Sequence, residues 1–404
     1  MNILLINHYA GSLHLGMEFR PYYLAKKWNE MGHKTTIVGA TYSHLRRNQP
    51  RKAGWETIDG IEYLWLWTNK YQGNGFSRFL TMILFVVQLT ILTFYLAWKT
   101  KPHVVIASST YPLDIFPAWL VARLSGAKLV FEIHDLWPLS PIELGKMSKW
   151  HPFILLMQLG EWFAYKTADK VVSILPATFE HVKKFGVQKE SFVHIPNGIN
   201  LDDYNNPLPI PKHLQLLINR EKKQGRALIG YAGAIGVANA LDILVKSAFE
   251  LRKENLAFIV VGDGQELANL KSTTKSLKLN NFYLIGRINK LEVHNFLQQM
   301  DFLYFGTQDK PIYRFGMSFN KMYDYMMAGK PIIQSINTNS DIVKKAKCGF
   351  TSEPDNVPDL VNLIREAMQT PKKTLNAMGK NGRAYVLKNH TYDFIAKKFI
   401  EDIS

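Results

Sequence analysis

The stretch DFLYFGTQDKPIYRFGMSFNKMYDYMMAGKPIIQS (residues 301–335) contains the unit from which the whole fold can be worked out. An apolar run, DFLYFGT, precedes a helical pattern, and a second apolar run, KPIIQS, follows it. Ser318 is a suitable N-cap for the helix, Gly329 would end it, and Pro331 forbids its continuation. A strand, a helix and a strand in this order are typical of a parallel sheet with helices on its faces.

The same alternation recurs along the chain. Further strands are predicted at NILLIN, KTTIVGA, GIEYLWLWT, HVVIASS, AKLVFEIHD, KVVSIL and SFVHIPN in the first half, and at ALIGYAG, AFIVVGDG and FYLIGR in the second. The sequence therefore predicts an α/β protein of two doubly wound, Rossmann-like domains facing a central cleft.

The expected boundaries follow from composition. Residues 1–197 form the first domain, and residues 198–226, which carry three prolines and several charges, form a linker. Residues 227–380 form the second domain. The helical stretch 381–404 is expected to pack back on the first domain.

Composition restricts the partners. The chain has 404 residues and 47% hydrophobic residues, so it can bury large cores. Its single cysteine excludes an internal disulfide and fits a reducing compartment. A formal net charge of +16 favours an anionic partner. Nucleic acid is not expected, because no binding motif for it occurs. The N-terminus reads as a buried strand and not as a signal peptide.

Residues 79–98, FLTMILFVVQLTILTFYLAW, contain no charge and are long enough to cross a bilayer. Strand-like segments of one sheet are predicted on both sides of them, however, and a membrane span would separate those strands. A core helix with one face in the membrane interface is therefore the favoured prediction.

Candidate binding residues lie at predicted strand ends and at the start of the helix in residues 301–335. Glycines occur in GYAGAIG, which includes Gly233, and in VGDG, where a missing Cβ lets the backbone approach a phosphate. Asn320, Lys321 and Asp324 fall in the first two turns of the helix. A lysine there can neutralise a diphosphate and a carboxylate can accept ribose hydroxyls, while Gly316 leaves room for a sugar. The alternative is a surface Lys–Asp pair on an amphipathic helix.

These residues resemble a known family. FGMSFNKMYDYMMAGKPII is similar to the donor-site signature of family-4 retaining glycosyltransferases of the GT-B type, and especially of the O-antigen and capsule N-acetyl-L-fucosamine transferases. GMEFRPYYLAKKWNEMGHKTTIV, VFEIHDLWPLSPIELG, LPATFEHVKKFGV, PNGIN, GVANALDIL and GRINKLEV agree, so the resemblance covers nearly the whole chain. It implies transfer of a sugar from a UDP-sugar with retention of its anomeric configuration.

The resemblance also implies roles in the second domain, with departures. Family members carry two acidic residues eight apart; the second falls on Asp324, expected to hold the ribose, but Gly316 occupies the place of the first. Ala234 and Asn239 stand where the family has an arginine and a lysine. Lys290 and Lys321 are the candidate replacements. Arg287 is a further candidate cation, and with Ile288 it is expected to line the uracil pocket.

In the first domain the resemblance places Gly16 near the donor phosphates and Arg20 where it could contact substrate. His134 is the counterpart of the family histidine near the reacting sugar, beside Asp135, and it would bond to a sugar hydroxyl or assist proton transfer. Glu132 alternates with His134 and would share its face of the strand. A histidine that only caps the strand end is the alternative.

No Asp-x-Asp occurs, so we expect no metal and no other cofactor; the helix dipole and lysines would stabilise the diphosphate. Retention would then proceed by front-face attack, as the resemblance implies. The predicted protein is cytoplasmic and peripherally bound to the inner membrane. It would transfer an N-acetylated or deoxy sugar from a UDP-sugar to a polyprenyl-diphosphate-linked saccharide in lipopolysaccharide O-antigen or capsule biosynthesis. The alternatives are a UDP-N-acetylglucosamine 2-epimerase-like isomerase and a catalytically silent membrane scaffold.

Overall fold

The structure is a computed structural model that describes residues 1–73, 75–205 and 207–403. In chain order its strands are β1 (Asn2–Ile6), β2 (Lys34–Ala40), β3 (Gly54–Ile58), β4 (Ile61–Leu66), β5 (Val104–Ala107), β6 (Lys128–Ile133), β7 (Lys170–Ser173), β8 (Phe192–His194), β9 (Ala227–Ala232), β10 (Leu256–Val261), β11 (Phe282–Gly286), β12 (Phe302–Gly306), β13 (Ile332–Ser335) and β14 (Gly349–Ser352).

The α-helices of the described residues alternate with these strands. They are α1 (Arg20–Glu30), α2 (Phe76–Ile91), α3 (Thr93–Thr100), α4 (Ile115–Ser125), α5 (Leu139–Glu143), α6 (Pro152–Thr167), α7 (Phe179–Val182), α8 (Asp202–Asn205), α9 (Lys212–Lys223), α10 (Leu241–Glu250), α11 (Leu267–Ser276), α12 (Lys290–Gln298), α13 (Asn320–Ala328), α14 (Ile342–Ala346), α15 (Val357–Gln369), α16 (Lys372–Asn389) and α17 (Tyr392–Ile403).

The chain folds into two compact units, and each unit contains one sheet. The first unit comprises residues 1–197, 315–317 and 392–404, and the second comprises residues 198–314 and 318–391. The first sheet has the order β3-β4-β2-β1-β5-β6-β7-β8 and the second has the order β11-β10-β9-β12-β13-β14. Every pairing is parallel except that of β3 with β4. The prediction of two doubly wound α/β domains is confirmed.

Two strands were absent from the sequence prediction. One of them, β3, forms an antiparallel hairpin with β4 through Asp59 and Gly60, both of which have positive φ. An Asp-Gly pair between apolar runs is a strong hairpin signal, so the sequence did contain the information. The other, β14, is a four-residue edge strand too short to show periodicity.

The predicted linker is largely helical, since α8 and α9 lie within it. Leu214 and Ile218 of α9 are fully buried, and residues 198–226 belong to the second unit. At the other end of the chain the change of unit falls at Tyr392 and not at residue 381. From there α17 packs in the first unit, where Trp28 Nε1 donates to the carbonyl of Ala396 at 3.1 Å.

The apolar stretch 79–98 is not one helix, because α2 and α3 meet at an angle of 60°. Near the break, Thr90 Oγ1 donates to the carbonyl of Val86 and Thr93 Oγ1 to that of Thr90. Such bonds compete with the helical ladder and favour bending. In the described part of the chain no single helix is long and apolar enough to span a bilayer; only α2 and α3 taken together reach that length and composition.

Opposite faces of this bent pair have different environments. Met82, Phe85 and Leu89 are buried against the first unit, whereas Ile91 and Phe94 are each 73% exposed. The buried residues recur at the spacing of one helix face, as in an amphipathic helix. The opposite, exposed face differs from that of an amphipathic helix because it is apolar as well.

We expect Phe85→Ala to lower the free energy of unfolding of the first unit by about 3–5 kcal/mol, because it removes a fully buried ring and leaves a cavity. Phe94→Ala removes the same atoms from an exposed position and should change that free energy by less than about 0.5 kcal/mol. Chemical denaturation monitored by circular dichroism measures both. Equal losses for the two variants would show that the outward face is covered in the folded chain.

Candidate functional site

Three neighbouring parallel strands of the second unit, β10, β9 and β12, end at one edge of their sheet, where glycine loops follow. A Cβ on Gly262 would lie 1.8 Å from the carbonyl oxygen of Gly233, and one on Gly264 would lie 2.3 Å from that of Ile235. Both glycines also have positive φ. The loops after β9 and β10 therefore pack backbone to backbone, which only glycine permits.

The helix α13 begins at Asn320, directly after Phe319. The predicted N-cap, Ser318, does not cap it; its hydroxyl lies 3.1 Å from that of Tyr323 in the interior. At the other end Gly329 adopts the left-handed conformation with φ of 70°, which confirms the predicted stop. Asn320 is exposed in the first turn, and Lys321 and Asp324 follow on the same helix.

Lys321 lies at the glycine loop after β9. Its Nζ donates to Tyr231 Oη at 3.0 Å and to Asn239 Oδ1, and it lies 4.9 Å from the centre of the Tyr231 ring. Its side chain also passes Gly233, whose ideal Cβ position is 3.6 Å from Lys321 Cδ. The structure thus brings together Gly233, Asn239 and Lys321, which the sequence had proposed separately.

Burial lowers the pKa of Lys321 to about 7. The side-chain partners of its amine are a phenol and an amide, and aromatic rings surround it. A buried amine with this pKa readily takes up a proton when an anion approaches, so the position is suited to a phosphate.

Asp324, one turn further on, accepts a hydrogen bond from the hydroxyl of Tyr204. Burial raises the pKa of Asp324, while this hydrogen bond and the nearby charge of Lys290 oppose the rise. Lys290 Nζ in turn donates to Asp203 Oδ2 at 2.6 Å. Tyr204 and Asp203 belong to α8, inside the predicted linker, and the sequence analysis did not find them for that reason.

The other predicted residues of this half are Arg287, Ile288 and Gly316. Arg287 and Ile288 directly follow β11; the arginine is exposed and the isoleucine half-buried. Gly316 is buried with φ of 85°, and its segment, residues 315–317, belongs to the first unit.

In the first unit, His134 follows β6 and is held by a hydrogen-bonded network. Its Nε2 lies 2.9 Å from Ser108 Oγ and 3.2 Å from Glu132 Oε2, and Ser108 Oγ donates to the same Glu132 oxygen at 2.6 Å. Burial alone would raise the pKa of Glu132, but the charge of Arg20 and the contacts with His134 and Ser108 together outweigh it, so that the pKa lies well below its usual range. Glu132 is a carboxylate, and the expected shared face with His134 is confirmed.

Arg20 is the first residue of α1, as expected, but all of its N–H donors bond within the protein and none is left for a substrate. Its Nε and Nη2 donate to Glu132 Oε1 at 3.0 and 2.8 Å. The other three N–H groups donate to the carbonyls of Ile195 and Pro196 and to Asn197 Oδ1. All five donors of the guanidinium are used and the residue is 1% exposed, so Arg20 orients Glu132 and does not bind a ligand.

Asp135 and Gly16 lie near the carboxyl ends of β6 and β1. Asp135 is exposed and makes no side-chain hydrogen bond within the described residues. Gly16 has φ of 106°, and a Cβ there would lie 2.8 Å from the backbone nitrogen of Arg47. Gly16 therefore allows two loops to meet. Across residues 1–73, 75–205 and 207–403 no group of three or more His, Cys, Asp or Glu side chains is placed to hold a metal ion.

Comparison with known proteins now defines the class. Residues 16–203 match the model of Glycosyltransferase Family 4, and residues 217–385 match that of Glycosyl transferases group 1. The chain is therefore a glycosyltransferase of the GT-B fold, with one domain of each kind. Since both models describe glycosyltransferases, the isomerase alternative has no support.

Individual relatives are distant but span most of the chain. A Pseudomonas aeruginosa protein named as glycosyltransferase WbjE is 22% identical, over 82% of this chain and 80% of its own length. An Escherichia coli protein named as colanic acid biosynthesis glycosyl transferase WcaI is also 22% identical, over 70% and 69%. The crystal structure of Anabaena HepE with UDP and glucose has a TM-score of 0.67 at 14% identity, covering 99% of this chain and 98% of that one.

The stability of the protein should depend on pH through Lys321. Unfolded lysine keeps its proton up to about pH 10.5, whereas folded Lys321 loses it near pH 7. Between these values the unfolded chain binds more protons, so the free energy of unfolding rises with pH, by at most about 1.4 kcal/mol per unit. We expect Lys321→Met to flatten the increase between pH 7 and 9.

Thermal unfolding at several pH values measures this slope. Lys271→Met, which changes an exposed lysine of α11, is the matched control and should keep the slope of the wild type. An unchanged slope in Lys321→Met would show that the amine is not desolvated.

Proposed function

We propose that this glycosyltransferase moves an N-acetylated or deoxy hexose from a UDP-sugar to a polyprenyl-diphosphate-linked saccharide, with retention, in the synthesis of a cell-surface polysaccharide such as O-antigen or capsule. The observation that carries the donor assignment is the cluster of Gly233, Asn239 and Lys321 at one edge of the second sheet. HepE, whose structure is similar, binds UDP and glucose. WcaI is named for colanic acid biosynthesis, which supports the polysaccharide.

In this proposal the diphosphate of the donor lies at the glycine loop after β9. Lys321 contributes its charge, and the approach of the anion raises the pKa of its amine so that the amine is protonated when the nucleotide binds. Asp324 accepts hydrogen bonds from the ribose hydroxyls in the position where it now accepts one from Tyr204. The leaving diphosphate is stabilised by Lys321 and by the N-terminus of α13, without a metal.

His134 is proposed to contact the reacting sugar through Nδ1. Because Glu132 is ionised and Ser108 donates to it, His134 Nε2 carries the proton shared with these two oxygens. When the ring is uncharged, its Nδ1 is an acceptor for a sugar hydroxyl. The network built on Arg20 thereby sets the tautomer of the catalytic histidine, and Asp135 lies next to it in the chain.

The acceptor is proposed to be reached at the inner face of the cytoplasmic membrane, because the first unit exposes an extended apolar face. Phe76, Ile91, Phe94 and Trp98 of α2 and α3 are 71–73% exposed. On α6, the outward side chains are Leu155, Leu159 and Trp162. An apolar surface of this extent on a soluble unit is typical of an interaction site.

Two features favour a membrane over a protein partner for this face. Phe79 of α2 and Phe153 of α6 pack ring to ring at 5.6 Å, so the two helices belong to one surface. No acidic residue occurs in α2, α3 or α4, and Glu161 of α6 is buried against His181 and Tyr165. An apolar, Trp-bearing face without negative charge, on a chain of net charge +16, suits anionic lipid headgroups.

A donor screen tests the function. Wild-type protein is incubated with UDP-linked N-acetylated and deoxy hexoses and a farnesyl-diphosphate-linked N-acetylhexosamine, and the product is detected by mass and its anomer assigned by NMR. We expect one added hexose with retained configuration, unaffected by EDTA. Lys321→Met should lower kcat/KM by about 10²-fold, because it removes a charge from the leaving group, and Lys271→Met should not. Inversion, loss of activity with EDTA, or no transfer from any UDP-sugar would contradict the proposal.

Membrane binding has its own test. We expect sedimentation of the protein with phosphatidylglycerol vesicles at low salt, weakened about tenfold or more by Phe94→Ser with Trp98→Ser, since each ring in the interface contributes roughly 1.5–3 kcal/mol. Leu216→Ser changes a residue of α9 that is 60% exposed in the second unit, and it should bind vesicles like the wild type. Equal binding by all variants would rule out this face.

A further inference from the structure

A group of basic and phenolic side chains in the first unit has no part in the His134 network. It is built on β4, β2 and β1, which are adjacent and mutually parallel, so the segments after them meet at one edge of the sheet. The segment after β1 carries His8 and Tyr9, that after β2 carries His44 and Arg46, and that after β4 carries Tyr71 and Arg78.

The hydroxyls of two tyrosines connect these side chains. Arg78 Nε and Nη2 donate to Tyr9 Oη at 3.2 and 3.1 Å, and the guanidinium lies 5.4 Å from the centre of the Tyr9 ring. His44 Nδ1 lies 2.7 Å from Tyr71 Oη, and the rings of Tyr9 and His44 meet edge to face at 5.8 Å. Both tyrosines are buried, whereas His44 is exposed and Arg78 partly so. The two tyrosines therefore have fixed positions in the interior, whereas His44 and Arg78 reach the surface.

Arg46, the buried cation of this group, donates to two neutral acceptors, Gln49 Oε1 and the carbonyl of Ala40. Arg46 is 6% exposed and stacks on Trp65 at 4.9 Å; its buried Nε has no hydrogen-bond partner within the described residues. Burial lowers the pKa of Arg46 to about 10. Among the described residues no ion pair joins Arg46 or His44 to a carboxylate. The cations that act on His8 are Arg46 and Arg78. Burial and the charge of Arg78 lower the pKa of His44 to about 4, so His44 is uncharged near neutral pH.

The surrounding sequence adds further cations, and the acid that follows it, Glu56, accepts a hydrogen bond from Trp65 Nε1 at 2.7 Å. Residues 41–55 contain Arg46, Arg47, Arg51 and Lys52, and residues 67–80 contain Lys70 and Arg78; neither stretch contains Asp or Glu. Desolvated cations without a counter-charge are costly, and an anionic ligand relieves that cost. The cations at this edge of the sheet therefore favour binding of an anion that carries more than one charge.

Its place in the fold indicates what is attached to that anion. Arg78 is the third residue of α2, and the exposed apolar side chains of α2 and α3 begin beside it, at Phe76 and Leu80. From Arg78 to its end α2 extends for about 20 Å at 1.5 Å per residue. A charged group at Arg78 and a hydrocarbon chain along the outward face match a molecule that is anionic at one end and lipid at the other.

We propose that Arg78, His44 and the Tyr71 hydroxyl bind the diphosphate of a prenyl-diphosphate acceptor, with Arg46 as the buried charge behind them. The identity of the ligand as the sugar acceptor rests on the proposed function, but the site itself is argued from the first unit alone. Two arginines and a histidine–tyrosine pair present more donors and charge than a single phosphodiester requires, which favours a diphosphate over a phospholipid headgroup.

Direct binding of farnesyl diphosphate, measured by calorimetry without membranes, tests the site. We expect Arg78→Met to weaken binding by roughly 10- to 100-fold, the usual effect of losing charge-assisted hydrogen bonds, and His44→Gln to weaken it less. Arg78→Lys keeps the charge without the planar fork and should fall between. Arg123→Met removes an exposed arginine of α4 that also stacks on an aromatic ring, Trp119, and should bind like the wild type. Circular dichroism melting confirms that each variant is folded.

Two further measurements separate the alternatives. Binding to phosphatidylglycerol vesicles should be affected by Arg78→Met no more than by Arg123→Met; a larger loss, matching that for farnesyl diphosphate, would make Arg78 a general lipid contact and overturn the site. In the transfer assay, an acceptor KM for Arg78→Met equal to that of the wild type would overturn the site while the proposed function stands. Arg78-dependent binding of farnesyl diphosphate without any sugar transfer would support the site and refute the proposed function.

Discussion

Parallel pairing of strands is the constraint on which the functional regions of this protein depend. In a parallel sheet the chain must return to the same end before each strand, so every segment that follows a strand emerges at one edge. In the second unit this edge collects the glycine loop after β9, the loop after β10 and the start of α13. In the first unit it collects the His134 network and the basic group around Arg78. None of these sets is contiguous in sequence.

The second theme is buried positive charge without a carboxylate partner among the described residues, with one example in each unit, Lys321 and Arg46. Lys321 is surrounded by one phenol, an amide and the rings of phenylalanines, and burial lowers its pKa. Arg46 is buried over Trp65 with its Nε unsatisfied. By contrast, Arg20 is equally buried but fully paired, and it acts as a structural support for Glu132. The distinction between a cation that binds a ligand and one that organises its neighbours is thus a matter of partners and not of burial.

The same contacts indicate how the chain compensates for its departures from the family pattern. Gly316 lacks the carboxylate of the first acidic position, and Asn239 replaces a cation of the glycine loop. The structure places Asn239 against the amine of Lys321, so that an amide orients the lysine where the family has a second positive charge. Asp324, the acid that remains, is held by Tyr204 from a segment with no recognisable motif.

Local patterns in the sequence determined the strand–helix alternation, the end of α13 at Gly329 and the candidates Gly233, Asn239, Lys321 and Asp324, because backbone hydrogen bonding imposes periods that are visible within ten or so residues. The Asp-Gly signal of the hairpin between β3 and β4 is local in the same sense. Tertiary structure alone decided that Arg20 pairs with Glu132, 112 residues away, and that the hydroxyl of Tyr204 donates to Asp324, 120 residues away. It likewise decided that three separate segments form one basic group. Such contacts depend on the order of the strands in the sheet, and strand order is set by packing of the whole unit, which no local period encodes.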